Sequence, residues 1–197
     1  VKEHGCEGLV QVWIALSYAC GQRLMAPHRM WCFTPEKGTH WYNGPTEVYA
    51  PLYRFVREQP DLFRDTATVG SLAPPDDVPQ RFDTHRQRQA LADALDAGDP
   101  RPIVAGDRLW VFPRRRDNGD GVVHVVNLAY DPEADMVTPQ TEVEVHLPTT
   151  VYNTSFSAAT LLSYDAAPVD LEMTQGADGA IILRLPEQRL WSVIELR

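Results

Sequence analysis

The sequence lacks the short motifs that mark several common enzyme classes. It contains no GxSxG, GxGxxG, P-loop or HExxH pattern, so serine-nucleophile, dinucleotide, phosphate and zinc-protease chemistries lose their usual sequence support. Only three cysteines are present, Cys6, Cys20 and Cys32, with no CxxC pair and no histidine at zinc-finger spacing. A structural zinc site is therefore not expected. Cys20 is predicted to be a small core residue, and pairing of Cys6 with Cys32 stays open.

Basic residues and long apolar runs are also scarce. Lys and Arg total 18 against 27 Asp and Glu, for a net charge of −9, which disfavours nucleic acid or an anionic membrane as a partner. No 18-residue apolar run and no signal segment is present, so a soluble protein is expected. The first residue is Val1, from which we expect that the natural chain begins further upstream. No cofactor is predicted.

The composition that is present suits a globular protein with its own core. The 197 residues are 44% hydrophobic, and a chain of this length can bury a core without disulfides, although it is shorter than the roughly 250 residues of a complete (β/α)8 barrel. Charge changes near Asp117, since residues 1–116 hold 15 basic and 14 acidic residues and residues 117–197 hold 3 and 13. This change suggests a domain boundary, and the run Arg114-Arg115-Arg116 before it is expected to be a solvated loop.

The first half of the chain has the pattern of an α/β fold. Apolar residues at three-to-four spacing predict amphipathic helices over residues 8–22 and 46–59, with Pro51 in an early turn of the second. Between them, Leu24-Met25-Ala26 is predicted to be a buried strand of a parallel sheet. Residues 66–82 look like a linker, and a helix over 83–97 and a strand over 103–105 are expected to follow it.

Beyond residue 108 the pattern predicts an antiparallel β-sandwich. Short segments of period two alternate with turns. A turn is expected at Leu185-Pro186-Glu187-Gln188, and packed or solvated histidines at His124 and His146. The predicted strands are 109–112, 122–127, 141–147, 159–164, 169–173, 180–185 and 191–196.

Candidate binding residues lie in an aromatic segment, residues 28–45, that follows the first predicted strand. In α/β folds ligands bind beyond the carboxyl ends of strands, and indole and phenol rings offer an apolar face to a sugar ring. The alternative is that the two tryptophans only pack this loop onto the scaffold. The predicted substrate-binding residues are His28, Arg29, Trp31, His40, Trp41, Tyr42 and Asn43.

Acid–base and metal chemistry have weaker support in the same segment. Glu36 and Glu47 are its nearest carboxylates and suit acid or base roles only if buried, and a surface or helix-start position explains each as well. His28 and His40 would need a third metal ligand that the sequence does not identify. No metal site is predicted.

Several segments together resemble a known family. The stretches 13–21, 24–27, 40–42 and 53–57 look like the last strand-and-helix part of a (β/α)8-barrel glycoside hydrolase, of agarase, β-galactosidase or dextranase type. Residues 122–127 and 185–194 look like the all-β domain that follows such barrels. The resemblance implies a partial (β/α)8-barrel end followed by an antiparallel β-sandwich, divided as 1–65 (last strand and helices of the barrel), 66–107 (linker with one helix and a short strand) and 108–197 (sandwich).

The resemblance also implies a function. Catalytic carboxylates of such enzymes lie on earlier strands, so both would precede Val1 and the catalytic residues of this chain are unknown. The expected function is the C-terminal portion of a glycoside hydrolase acting on a poly- or oligosaccharide, with the missing N-terminal part as its partner. Extracellular or periplasmic location follows from the resemblance alone. The alternative is a non-catalytic carbohydrate-binding or structural module.

Overall fold

The fold was obtained as a computed structural model, which describes residues 7–24, 30–34, 38–42, 46–64, 66–68, 103–105, 108–152, 154–177 and 179–197. The helices are α1 (Glu7–Ala19), α2 (Thr46–Glu58) and the short α3 (Thr149–Tyr152), with a 3-10 turn over Pro60–Leu62. The strands are β1 (Met30–Thr34), β2 (Gly38–Tyr42), β3 (Thr66–Thr68), β4 (Ile103–Ala105), β5 (Leu109–Arg116), β6 (Gly121–Asn127), β7 (Tyr130–Asp131), β8 (Met136–Val137), β9 (Gln140–Leu147), β10 (Ala159–Ser163), β11 (Val169–Asp170), β12 (Met173–Gln175), β13 (Ile181–Gln188) and β14 (Trp191–Leu196).

Two antiparallel sheets form the body of the molecule. The larger has the strand order β11-β10-β14-β6-β5-β3 and the smaller β12-β13-β9-β4. Two further strand pairs, β1-β2 and β7-β8, form separate two-stranded sheets. Every pairing among the described strands is antiparallel.

The six-stranded sheet is covered on both faces. One face packs against the four-stranded sheet through alternating residues such as Val123, Val125 and Ile194. The other face packs against α1 and α2 through Val122 and Trp191. All seven residues of β6 are buried in consequence, which accounts for its nearly continuous apolar sequence. The fold is therefore three layers deep, with helices, a large sheet and a small sheet in that order.

The start of α1 is fixed by a residue far away in the sequence. The Asp135 carboxylate, in the turn between β7 and β8, accepts hydrogen bonds from the backbone N–H groups of Glu7 (2.9 Å) and Gly8 (3.2 Å). Tyr130 donates its hydroxyl hydrogen to the same carboxylate at 2.7 Å. Because the first N–H groups of a helix have no partner within it, an anionic acceptor there both caps the helix and favours its dipole.

A buried polar network closes one end of the sandwich. Asn127 donates to the backbone carbonyls of Thr138 (2.8 Å) and Gln188 (3.2 Å). The amide of Gln188 donates to Val125 at 3.1 Å and accepts from the Ser192 hydroxyl. These bonds hold the corner where the chain leaves the small sheet at β13 and enters the large one at β14.

Most of the predicted elements are present, with boundary changes at several. The predicted helices correspond to α1 and α2, with Pro51 inside α2, and the strand 103–105 is β4. Strand 191–196 is confirmed as β14. The predicted strand 169–173 is two separate strands, β11 and β12. The helix predicted over 83–97 lies outside the described residues.

Other predictions were wrong. The turn expected at Leu185–Gln188 is the end of β13, because Gln188 reaches the buried network at the sandwich corner. Of the predicted buried strand, Leu24 lies outside any strand, and Met25 and Ala26 lie outside the described residues. Residues 66–68, predicted to be part of a linker, form β3 at one edge of the large sheet. The segment between residues 28 and 45 is not simply a loop, since it contains the paired strands β1 and β2.

The predicted solvated loop at Arg114–Arg116 is also wrong, because all three arginines lie in β5. The guanidinium of Arg114 donates to the Thr66 hydroxyl at 2.7 Å and to the Thr66 carbonyl at 2.8 Å. Arg116 pairs with the buried carboxylate of Glu195 at 2.6 Å. The Arg114 and Arg116 side chains therefore tie β5 to neighbouring parts of the fold.

Two further predictions concern Cys20 and the charge step at residue 117. Cys20 is exposed at the end of α1 and is a free thiol, so it is not a core residue as predicted. Asp117 lies in the turn between β5 and β6, so the change in charge falls within a single sheet. No helix in the described ranges is long and apolar enough to span a membrane.

Candidate functional site

The β1–β2 hairpin carries four of the residues predicted to bind substrate. Its register places Trp31 opposite Trp41, Cys32 opposite His40 and Met30 opposite Tyr42. Because directly opposed residues share a face and successive residues alternate, the two tryptophans occupy positions on one face of the hairpin. His40 and Tyr42 occupy positions on the other face. The four predicted residues in the hairpin thus occupy positions on both of its faces.

The remaining predicted residues have different outcomes. His28, Arg29, Asn43 and Glu36 lie outside the described residues. Glu47 is exposed in the first turn of α2, where a carboxylate favours the helix dipole, so its position agrees with a helix-start role. Within the described ranges, no three His, Cys, Asp or Glu side chains come together as metal ligands would.

The helix that follows the hairpin is held firmly. The Tyr53 hydroxyl donates to the Leu24 carbonyl at 2.7 Å, and the Gln11 amide of α1 donates to the Val48 carbonyl at 2.9 Å. Burial raises the pKa of Tyr53 to about 12, with the neighbouring Tyr18 adding to the effect. Tyr53 therefore stays a neutral donor, and these two bonds tie α2 to α1 and to the segment after α1.

A groove of about 260 Å³ lies between the C-terminal half of α2 and the end of β10 with the segment after it. Its walls combine apolar and polar side chains. The apolar part consists of Pro51, Phe55, Leu162, Ala166 and Pro168.

The polar part of the groove contains one cation, one anion and three neutral groups. Its members are Arg54, Glu58, Gln59, Ser163 and Tyr164. Burial raises the pKa of Tyr164 to about 12, and the charge of Asp165 adds to this while Arg189 opposes it. The Tyr164 hydroxyl is consequently protonated at any physiological pH. Sequence analysis missed this groove, because its two walls are about a hundred residues apart.

A buried histidine lies deeper in the helix-facing core. The ring of His124 is stacked on Trp191, with ring centroids 6.0 Å apart, and is tilted against Phe63 at 5.5 Å. Neither ring nitrogen has a hydrogen-bond partner of normal geometry among the described residues. Burial lowers the pKa of His124 to about 3, with the Arg114 charge adding to this and the Leu62 backbone offsetting part of it. His124 is therefore a packed, neutral histidine, one of the two alternatives predicted for it.

Comparison with known proteins gives matches at the level of fold only. A cycloisomaltooligosaccharide glucanotransferase from Paenibacillus sp., solved with cycloisomaltoheptaose, aligns with 96% of this chain and 27% of its own at 16% identity, with a TM-score of 0.61. Alpha-L-fucosidase isoenzyme 2 from Paenibacillus thiaminolyticus aligns with 55% of this chain and 17% of its own at 14% identity, with a TM-score of 0.38. The second likeness is too slight to support an argument. No family model and no curated protein matches the sequence.

The first likeness extends over nearly the whole chain, helices and sheets included. This chain spans about a quarter of the length of that neighbour, 27%. The chain thus has a β-rich fold similar to one portion of a larger carbohydrate-active enzyme.

Proposed function

We propose that the chain is the C-terminal portion of a glycoside hydrolase or related glycosyl-transferring enzyme that acts on a poly- or oligosaccharide. The observation that carries the proposal is the fold likeness over 96% of the chain to part of an enzyme solved with a cyclic oligosaccharide. In this proposal α1 and α2 are the final helices of a (β/α)8 barrel, the β1–β2 hairpin contributes a rim of the sugar-binding cleft, and the sandwich supports the barrel.

The surface of α1 supports an attachment to further protein. Val12, Ala15 and Ala19 pack on the sheet, whereas Trp13 is 59% exposed. A helix that is apolar on both its inner and outer faces is typical of one enclosed by protein on both sides. A barrel preceding this chain would supply the missing cover.

The hairpin register supports a role for its tryptophans in sugar binding. Trp31 and Trp41 are directly opposed in the register of the two strands, so their positions are neighbours on one face of the hairpin. Tryptophan is a residue type that suits the apolar face of a pyranose ring. Catalytic carboxylates would lie outside this chain, so its own residues bind and position substrate.

The test is Trp41→Ala in the longest natural polypeptide that contains this chain. We expect about a tenfold or greater loss of reducing-end release from isomalto-oligosaccharides or another active polysaccharide, because a central aromatic contact commonly contributes at least 1.4 kcal/mol. Trp110→Ala is the matched control, since it removes a half-buried indole on β5, outside the hairpin, and should retain near-normal turnover per folded molecule. Unchanged turnover in Trp41→Ala would contradict a role for the hairpin.

A second candidate function is non-catalytic carbohydrate binding. It is favoured by the aromatic hairpin itself, which needs no barrel to present two tryptophan positions on one face. Oligosaccharide binding without turnover in that longer polypeptide would support this candidate over the enzyme.

A further inference from the structure

The groove between α2 and β10 is lined by polar side chains that have no hydrogen-bond partner among the described residues. Among the residues that the structure describes, no hydrogen bond or ion pair engages the side chains of Arg54, Glu58, Gln59, Ser163 or Tyr164, although all five line the same cavity. Polar groups in a partly enclosed site normally find partners in the protein, water or a ligand. Arg54 and Glu58 are exposed, and Gln59, Ser163 and Tyr164 are half-buried. These five polar side chains border one space and are therefore available to a ligand rich in hydrogen-bonding atoms.

The charges of the groove favour a neutral ligand. Arg54 and Glu58 oppose each other in sign, one turn apart on α2, so an anion would meet Glu58 and a cation would meet Arg54. The remaining polar groups are uncharged amide and hydroxyl groups, and Tyr164 stays protonated. Donors and acceptors are both present, as an uncharged polyol requires.

The apolar wall restricts the ligand further. Phe55 and Pro51 lie on the helix side and Leu162 and Pro168 on the sheet side, so a ligand would need an apolar face as well as hydroxyls. A pyranose ring has both, with its C–H groups on one face and its hydroxyls around the edge. The volume of about 260 Å³ is just below the roughly 300–1,000 Å³ of pockets for drug-sized ligands, which favours a single ring.

The groove and the hairpin are built from different segments of the chain. The described lining residues of the groove belong to α2, from Pro51 onward, and to residues 162–168, whereas the hairpin consists of β1 and β2. A ligand held by this lining is therefore bound by residues other than those predicted in the hairpin.

We propose that this groove is a second binding site that holds one neutral hexose unit of a saccharide, and that it uses residues other than those of the β1–β2 hairpin. The choice of a sugar among neutral polyols rests on the proposed function, whereas the site itself rests on the groove. Such a site would anchor one residue of a chain whose other residues extend toward the rest of the enzyme.

The test is a titration of the 197-residue chain with isomaltose, followed by backbone amide shifts in NMR spectra. We expect millimolar binding, as is usual for so small a contact, with the largest shifts in residues 54–59 and 162–168. Tyr164→Phe should weaken binding about threefold to tenfold, because it removes one hydroxyl and leaves the ring. Ala166→Tyr, at an exposed position on the groove wall, should abolish binding by filling the space.

Two control variants test whether a loss of binding is specific to changes in the groove. Tyr18→Phe removes a hydroxyl from a tyrosine outside the groove, and Thr174→Tyr adds a ring on the exposed strand β12, so both should bind like the original chain. Trp41→Ala should leave the groove shifts intact. Shifts confined to the hairpin, or binding that persists in Ala166→Tyr, would overturn the groove site while leaving the proposed function standing. Absence of any shift would likewise overturn it, and turnover by the longer polypeptide then decides the proposed function separately.

Discussion

His124 shows how a single buried side chain couples this fold to pH. The unfolded imidazole titrates near 6.5, whereas in the folded core its pKa is about 3. Above pH 6.5 the ring is neutral in both states and adds no pH dependence. Below pH 6.5 the unfolded state takes up a proton that the folded state does not. The free energy of unfolding therefore falls by about 1.4 kcal/mol for each pH unit down to about pH 3.

We predict that His124→Phe removes this contribution. The substitution keeps an aromatic ring against Trp191 and Phe63 and deletes two ring nitrogens that have no partner of normal geometry in the described part of the chain. Urea unfolding at pH 7 should show stability equal to or above that of the original chain. Between pH 6.5 and pH 4 the variant should lose less stability, by about 1.4 kcal/mol per unit.

The matched control for this prediction is His146→Phe, at a half-buried site on β9 beside Glu144. Its stability should follow the pH dependence of the original chain far more closely than His124→Phe does. Identical pH profiles for His124→Phe and the original chain would show that His124 is protonated in the fold or is not enclosed.

The side-chain partners of the arginine run illustrate what sequence reasoning misses at this scale. Three consecutive arginines before a turn are typical of solvent-exposed chain, and nothing in the sequence reveals that Thr66 and Glu195 are their partners. Those partners are 48 and 79 residues away from them in the chain. Local charge patterns carry no information about such distant contacts.

At the scale of elements, α1 depends on a close approach at Gly8. A Cβ atom at this position would overlap the Asp135 carbonyl oxygen and come within 2.8 Å of its carbonyl carbon. The close approach is what allows the Asp135 carboxylate to reach the first backbone N–H groups of α1. The glycine is therefore needed for docking, although glycine lowers helix propensity.

We predict that Gly8→Ala destabilises the protein, opposite to the gain of about 1 kcal/mol that helix propensity alone would give. The expected loss is about 2 kcal/mol in the free energy of unfolding, because the helix must shift away from the turn between β7 and β8. Chemical denaturation followed by circular dichroism measures it.

Ser17→Ala, farther along α1, is the control. It raises helix propensity in the same way but adds no atom near Asp135. This control should be neutral or slightly stabilising. A stabilising Gly8→Ala would show that the turn can move aside at little cost.

The elements themselves were predicted best where one periodicity continues over many residues. Strand β9 alternates Val143 and Val145 with Glu144 and His146, and its buried and half-buried positions alternate accordingly. The β1–β2 hairpin was not predicted, because its five residue pairs depend on a register that no regular pattern of apolar residues specifies. Pro186 suggested a turn, yet β13 continues through it.

Of the candidate site, the sequence identified aromatic residue types but not their arrangement. It placed Trp31, Trp41 and Tyr42 in one segment, and only the register separates the tryptophan positions from that of Tyr42. The groove depends on the packing of α2 against β10, which is set by the tertiary structure as a whole. A site built from one segment is thus more accessible to sequence reasoning than one built between two.

On the scale of the whole molecule, α1 has one face that packs in the core of this chain and another that is exposed to solvent. Val12 is buried on the sheet and Trp13, the next residue, is 59% exposed. The core of the described fold includes the Val12 side chain but not the Trp13 side chain. A surface indole of this kind is a common feature of interfaces.

We predict that Trp13→Gln changes the free energy of unfolding of the 197-residue chain by less than about 0.5 kcal/mol. Val12→Ala, the matched change on the inner face, should lower it by about 2 kcal/mol because it leaves a cavity. In a polypeptide that also contains the proposed barrel, Trp13→Gln should become destabilising. A large loss already in the 197-residue chain would mean that the indole packs within this chain.

The position of β14 has a consequence for the order in which the protein is made. Strand β14 follows every other strand in the chain, yet it lies between β10 and β6 in the middle of the large sheet. A nascent chain synthesised only as far as residue 190 holds the two halves of that sheet with a gap between them, and lacks Trp191, against which the helix-facing core packs. Vectorial synthesis therefore cannot complete this sheet stepwise, and the open strand edges of β6 and β10 remain unprotected until β14 emerges from the ribosome.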